Sequence, residues 1–428
     1  MLDPEFVRLN ADLVRQSLIR RHDLIKEKLL AEWLSVDVGW RKTKLELDTA
    51  RSFKNSLTDK IKEAKMSGSS IDVLLKEAKL LPEKIKLLEL EETELKEKSQ
   101  TILSGLPNVL HDSVPFGKDD SENIQVRTVG EIPKFDFEIQ HHGQLAEKNG
   151  WADFTDAANI SGAGFYFLKG DLALLEQAVL RFALDELVKQ GFSLILPPFM
   201  LHRKPYEGVT DLQDFENVMY KIEGMDLYLI ATSEHSIASM HMNRIFEAKD
   251  LPLLYCGLSA CFRKEIGKHS IDERGLFRVH QFSKVEQFVF CSPSESWEWH
   301  EKILSNAESI LKKLEIPYRV VNVCTGDIGV VAAKKYDLEG WSAREKKYIE
   351  LVSCSNCTSY QAVGLNIKHR SGQEKEFVHT LNSTAIATPR ALRILLENNQ
   401  TQKGTVRIPK VLHPYMNGLK ELVPKNRL

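Results

Sequence analysis

Arg263 and Glu265 stand two residues apart in Phe262-Arg263-Lys264-Glu265, and on an extended segment that spacing turns both side chains to one face. A planar guanidinium suits a phosphate group, and a carboxylate acceptor suits an amino group such as that on an adenine ring. After a glycine-containing loop, Gly275-Leu276-Phe277-Arg278-Val279-His280-Gln281-Phe282 reads as a returning strand carrying a further arginine. Arg390 follows Asn382-Ser383-Thr384-Ala385-Ile386-Ala387-Thr388-Pro389 and opens an amphipathic helix. A cation there adds to the positive end of the helix dipole, which favours anions. Thr232-Ser233-Glu234, after the apolar run Tyr228–Ala231, offers a carboxylate and hydroxyls suited to an ammonium group. Two other nucleotide platforms are excluded. Gly267-Lys268-His269 lacks the earlier glycine of a phosphate loop, where Phe262 stands, and no G-x-G-x-x-G follows a strand. Cys354 and Cys357 have half a zinc site's spacing without a second pair, so they are expected to be structural thiols and no zinc is expected.

These segments resemble the signature motifs of class II aminoacyl-tRNA synthetases, and the likeness to the seryl-tRNA synthetase family extends along nearly the whole chain. The resemblance implies catalysis by Arg263 and Arg390. It also implies ATP contacts from Arg263, Lys264, Glu265, Arg278, Val279, Phe282, Glu350, Leu351, Val352, Ser353 and Arg390. Phe282 would stack under the adenine, Arg278 and Arg390 would grip the β- and γ-phosphates, and Glu350 with Ser353 would hold Mg2+. Serine would be bound by Thr232, Ser233, Glu234, Arg263, Glu286 and Thr384, with Glu286 accepting from the substrate hydroxyl. A site built to hydrogen-bond a hydroxyl rejects its absence by roughly 10⁴-fold, which would exclude alanine. The reaction implied is ATP-dependent ligation of L-serine to the 3′ end of tRNA(Ser) through a seryl-adenylate. Gly164 and the stretch Gln361-Ala362-Val363-Gly364 replace arginine-bearing positions common in the family.

The elements that must position these residues divide the chain. From Trp40 to Ile102, apolar residues recur at three and four spacings in two stripes separated by the turn-like Met66-Ser67-Gly68-Ser69-Ser70, which predicts an antiparallel helical hairpin. Beyond Leu106-Pro107, short β-branched and aromatic runs alternate with helical patterns. Strands are expected at Phe192–Leu196, Tyr228–Ala231, Phe277–Phe282, Glu286–Phe290, Tyr318–Val323 and Tyr348–Val352, with a helix from Leu172 to Val188. The fold class is therefore α+β: a helical arm over residues 1–106, a polar linker over 107–125, and a domain over 126–428 built on a large antiparallel sheet flanked by helices. By resemblance, the arm grips tRNA, and Leu172–Gln190 with the strand after it forms a homodimer interface. Arg51, Lys54, Lys62 and Lys65 on the first arm helix, and Lys268 and Arg274 in the loop after Glu265, are the candidate tRNA contacts.

With a net charge of only -2 over 428 residues, any RNA contact must come from local basic patches, and no DNA partner is expected. The absence of a long apolar run and of a secretory leader, with six cysteines that read as reduced thiols, implies a cytoplasmic protein without a membrane partner. Two rival readings differ in class: a paralogue that activates an amino acid for a carrier other than tRNA, and a catalytically dead coiled-coil interaction protein. The second predicts loss of Arg263, Glu265, Glu286, Glu350 or Arg390, and all five are present.

Overall fold

The computed structural model describes residues 1–210, 217–265 and 275–424. Two compact units emerge, residues 2–107 and residues 108–428 together with Met1.

The first unit is dominated by helices α1 (Leu24–Met66) and α2 (Asp72–Ser104). Asp23 caps α1 by accepting from the Lys26 backbone N–H. Leu47 and Ala50 of α1 meet Ile85 and Leu88 of α2 in a small apolar cluster. Polar ties run in opposite order along the two helices: Trp33 Nε1 donates to Ser99 Oγ at 2.9 Å, Trp40 Nε1 to Glu92 at 2.8 Å, and Arg51 to Glu89 at 2.8 Å. That descending register is the expected antiparallel hairpin. Ile71 occupies the cap position of α2 without a side-chain cap bond, although a serine stood beside it in sequence. The helix continues across Pro82.

The second unit is built on a sheet of eight strands among the described residues: β1 (Ile124–Val129), β2 (Ser193–Ile195), β3 (Leu253–Phe262), β4 (Gln281–Cys291), β5 (Tyr318–Asn322), β6 (Lys334–Ser342), β7 (Lys347–Asn356) and β8 (His379–Ala387). Their order across the sheet is β1-β5-β6-β7-β8-β4-β3-β2. Every neighbouring pair is antiparallel except β2 and β3, so the sheet is mixed rather than wholly antiparallel. A parallel pair requires a long crossover, and the chain between Ile195 and Leu253 supplies one. The segment expected to be a strand from Phe277 begins its strand only at Gln281, after a turn.

Strand β4 shows how alternation sorts the unit. Its odd residues Val285, Val289 and Cys291 enter the main core beneath α3 (Gly170–Lys189), with Leu175, Val179 and Phe182. Its even residues Phe288 and Phe290 enter a second core with Tyr206, Tyr228 and Ile237. Residues 107–125, expected to be a polar linker, pack from Asn108 onward into this unit. Asn108 Nδ2 donates to Val331 O at 2.9 Å and Cys357 O at 2.8 Å, while Leu110 and Val114 bury against Val323 and Ile328. Two apolar side chains at the right spacing and an amide with buried carbonyl partners are enough to order a polar-looking segment.

Candidate active site

The remaining even residues of β4, namely Phe282, Lys284 and Glu286, line a cavity of about 590 Å³. Its walls also take residues from β7, β8, the segments flanking β3 and β4, the loop at 328–332, and Thr232, Glu234 and Arg390. At its inner end, Glu286 lies directly across from Thr384 of β8. The Thr384 and Thr232 hydroxyls each stand 3.4 Å from Glu286 Oε2. Lys284 is ion-paired to the same carboxylate, and both side chains are almost wholly buried. Thr232 caps helix α4 (Ser233–Ser239), which sets Glu234 in its first turn. Glu234 Oε1 accepts from Gln361 Nε2 at 2.8 Å and Asn382 Nδ2 at 3.0 Å. Burial and the nearby Glu286 charge raise its pKa to about 7.

At the outer end, β3 stops at Phe262, and the Arg263 N–H bonds His280 O at 2.9 Å, extending the ladder one step. Arg263 stands over the Phe282 ring at 5.4 Å, and Glu265 faces Arg278 at 3.9 Å. Helix α5 (Thr388–Asn398) has Pro389 in its first turn and presents Arg390 beside it. Arg390 Nη1 reaches Glu350 O at 2.8 Å and Glu350 Oε2 at 3.1 Å. Partial desolvation in the cavity wall opposes ionisation of the half-exposed Glu350 side chain, but the charges of Arg390, Lys335 and Arg263 outweigh it and lower its pKa. Glu350 and Ser353 share the β7 wall, a hard-oxygen pair of the kind magnesium takes alongside substrate phosphates.

The expected site residues Thr232, Glu234, Arg263, Glu265, Arg278, Val279, Phe282, Glu286, Glu350, Leu351, Ser353, Thr384 and Arg390 therefore converge on one cavity. Three do not reach its lining. Ser233 turns to Gly257 O, 3.4 Å away, and Val352 enters the main core. Lys264 bonds Val218 O through its N–H and directs its ammonium over Tyr220. On the arm, Arg51 is engaged with Glu89 and Lys62 with Asp59, while Lys54 and Lys65 are exposed. Lys268 and Arg274 lie outside the described residues.

Lys284, Asn382 and Gln361 were missed in the sequence. The first two had a signal, standing two places before Glu286 and Thr384 on their strands and hence on the same face. Gln361 comes from a distant helical turn and had none. Gly164 takes φ +85°, and a Cβ there would stand 2.5 Å from the His280 ring, so this position has no room for the arginine the family resemblance would put there. Cys354 and Cys357 are buried free thiols, and burial pushes both well above the ordinary thiol range.

A mixed sheet carrying this cavity, with one arginine at a strand end and another at a helix start, is the core of a class II aminoacyl-tRNA synthetase. The family described as tRNA synthetase class II core domain (G, H, P, S and T) matches residues 218–399, and the seryl-tRNA synthetase N-terminal domain matches residues 1–110. A serine–tRNA ligase from Methanocella arvoryzae is 56% identical over 425 residues, covering 99% of this chain and 100% of the relative. The crystal structure of seryl-tRNA synthetase from Pyrococcus horikoshii complexed with ATP superposes with a TM-score of 0.94 at 47% identity, covering 100% of both chains. The cytoplasmic serine–tRNA ligase from Naegleria fowleri in complex with AMP gives 0.86 at 38% identity, over 97% of this chain and 96% of that one. The chain belongs to the seryl-tRNA synthetase family.

Proposed function

We propose that this chain ligates L-serine to the 3′ end of tRNA(Ser) in two steps, activating serine with ATP in the cavity and passing it to the terminal ribose. The observation that carries this reading is one cavity with a hydroxyl- and carboxylate-lined inner end and an arginine-rich outer end. The serine carboxylate attacks the α-phosphorus, and pyrophosphate leaves with the electrons of the broken P–O bond. The ribose hydroxyl then attacks the seryl carbonyl carbon and expels AMP. A carboxylate is already a nucleophile, so the first step rests on positioning and charge stabilisation. Arg263 holds the α-phosphate, Arg278 and Arg390 hold the β- and γ-phosphates, and Glu265 with Val279 and Phe282 holds the adenine. Glu234 and Thr232 receive the serine ammonium, and Glu286 with Thr384 receives its hydroxyl. Magnesium carried by the phosphates would be held by Glu350 and Ser353, where it would offset phosphate repulsion.

Three further assignments belong to the same proposal. The protein acts as a homodimer, supported by the exposed apolar side chains Leu174 and Val188 on α3, Leu194 on the edge strand β2 and Leu196 just after it. The arm helices carry the tRNA through Arg51, Lys54, Lys62 and Lys65. The reaction takes place in the cytoplasm, a placement compatible with the finding that no helix among the described residues is long and apolar enough to cross a membrane.

Pyrophosphate exchange with ATP and Mg2+, comparing serine, threonine and alanine, tests the first step, and added tRNA tests the second. Serine-selective exchange followed by charging is expected. Exchange without charging would favour another carrier, and no exchange from folded protein would overturn the enzyme reading.

A further inference from the structure

Behind the outer end of the cavity lies a buried polar cluster. His142 is fully buried. Its Nε2 accepts the Leu276 backbone N–H at 3.1 Å, so that nitrogen carries no proton. The proton must then reside on Nδ1, which donates to Glu397 Oε1 at 3.1 Å. Glu397 also accepts from Arg393 Nε at 2.9 Å and from the Ser342 hydroxyl. Arg393, itself wholly buried, is ion-paired through its other end to Glu345. Every member of the chain is thus satisfied by another element of the fold.

The cluster joins two segments that the proposed chemistry needs in register. One is the turn from Gly275 to Arg278, and the other is helix α5, which begins with Arg390. Gly275 takes φ +86°, and a Cβ there would come within 3.0 Å of His142 Nε2, so the turn sits tightly on the imidazole. The next residues after Leu276 are Phe277 and Arg278, both on the cavity wall. The Phe277 ring contacts two guanidiniums of α5, with Arg393 at 4.5 Å and Arg390 at 5.2 Å from its centroid.

We infer that His142, with Glu397, is a positioning residue for ATP: it fixes the Leu276–Arg278 turn against helix α5 and so sets the spacing of Arg278 and Arg390. The inference rests on the proposed phosphate role of those two arginines. Serine binds at the other end of the cavity, held by Thr232, Glu234, Glu286 and Thr384. A fault in the cluster therefore separates the two substrates kinetically.

The test is steady-state pyrophosphate exchange on the full-length protein, with ATP and serine varied separately. His142→Leu removes both hydrogen bonds, and its KM for ATP is expected to rise about tenfold with the KM for serine unchanged. His142→Gln keeps an acceptor for the Leu276 N–H, and it is expected to recover most of that loss. Ser342→Ala, outside the cavity lining, removes one donor to Glu397 and is expected to raise the ATP KM about threefold, which decides the matter if His142→Leu does not fold. An ATP KM within twofold of the parent in folded His142→Leu would overturn the inference, as would equal rises for both substrates. If His142→Leu does not fold, an unchanged ATP KM in Ser342→Ala overturns it equally. Failure of the parent protein to catalyse serine-dependent exchange would instead strike the functional reading itself.

Discussion

At the inner end of the cavity the Glu286 and Lys284 side chains are 2% and 7% exposed, whereas at the outer end those of Arg278 and Arg390 retain 43% and 30%. The inner end sits on the central strands β4 and β8, and its groups are held by neighbours on fixed backbone. The outer end sits where strands stop and a helix starts. A small neutral hydroxyl can be distinguished only by desolvated groups that lose a bond when it is missing. A triphosphate is recognised by charge, which works through partly solvated guanidiniums as well as buried ones. On the proposed roles, discrimination and charge neutralisation occupy different depths of one cavity.

The contrast can be broken most forcefully at Glu286. Glu286→Ala leaves Lys284 buried without its partner and is expected to cost about 3–5 kcal/mol of unfolding free energy, together with selectivity for serine over alanine. Adding Lys284→Met should restore much of the stability but none of the selectivity. Denaturant unfolding and exchange assays read the two effects, and equal recovery of both would erase the distinction between the ends. Arg390→Ala at the outer end should behave oppositely, raising the KM for ATP about tenfold while unfolding stays within about 0.5 kcal/mol of the parent.

Proton linkage sharpens the comparison. Burial and the Glu286 charge raise Glu234 from 4.5 to about 7, so the folded protein holds a proton there that the unfolded chain has already released. That contribution to stability is present at low pH and is lost as pH rises from about 5 to 7. The ionised form suits the serine ammonium, so the KM for serine should fall several-fold between about pH 6 and 8 while the KM for ATP changes less. A flat serine KM over that range would show that Glu234 does not bind the ammonium. The smallest effect is expected on the arm. Arg51→Ala should raise the KM for tRNA about two- to threefold, more at low salt, with exchange in the absence of tRNA unchanged. A change in that exchange would contradict a purely tRNA-facing role.

Much of the cavity was legible because it is built on strands. Residues two apart share a face, so Arg263 with Glu265 fell together from local spacing, and Lys284 and Asn382 could have been added by the same rule. Lys264, one residue out of phase, points elsewhere for the same reason. The hairpin was legible because a helical stripe repeats over many residues, although its charged exterior left the tRNA contacts open. Gln361, the loop Ile328–Ala332 and the packing of Asn108 were not legible, because their partners lie far away in sequence.

The order of amino acids by itself determined the two stripes of the arm, the alternation that sorts β4 between cavity and core, and the kinds of chemical group that line the cavity. Those depend on local periodicity and side-chain type, which a linear string contains in full. Only the tertiary structure decided the parallel pairing of β2 with β3, the register that sets Thr384 across from Glu286, and the placement of His142 beneath the Leu276 turn. Each joins segments tens to hundreds of residues apart, and such pairings are chosen by the joint burial of apolar faces and the satisfaction of buried polar groups, which no local window contains.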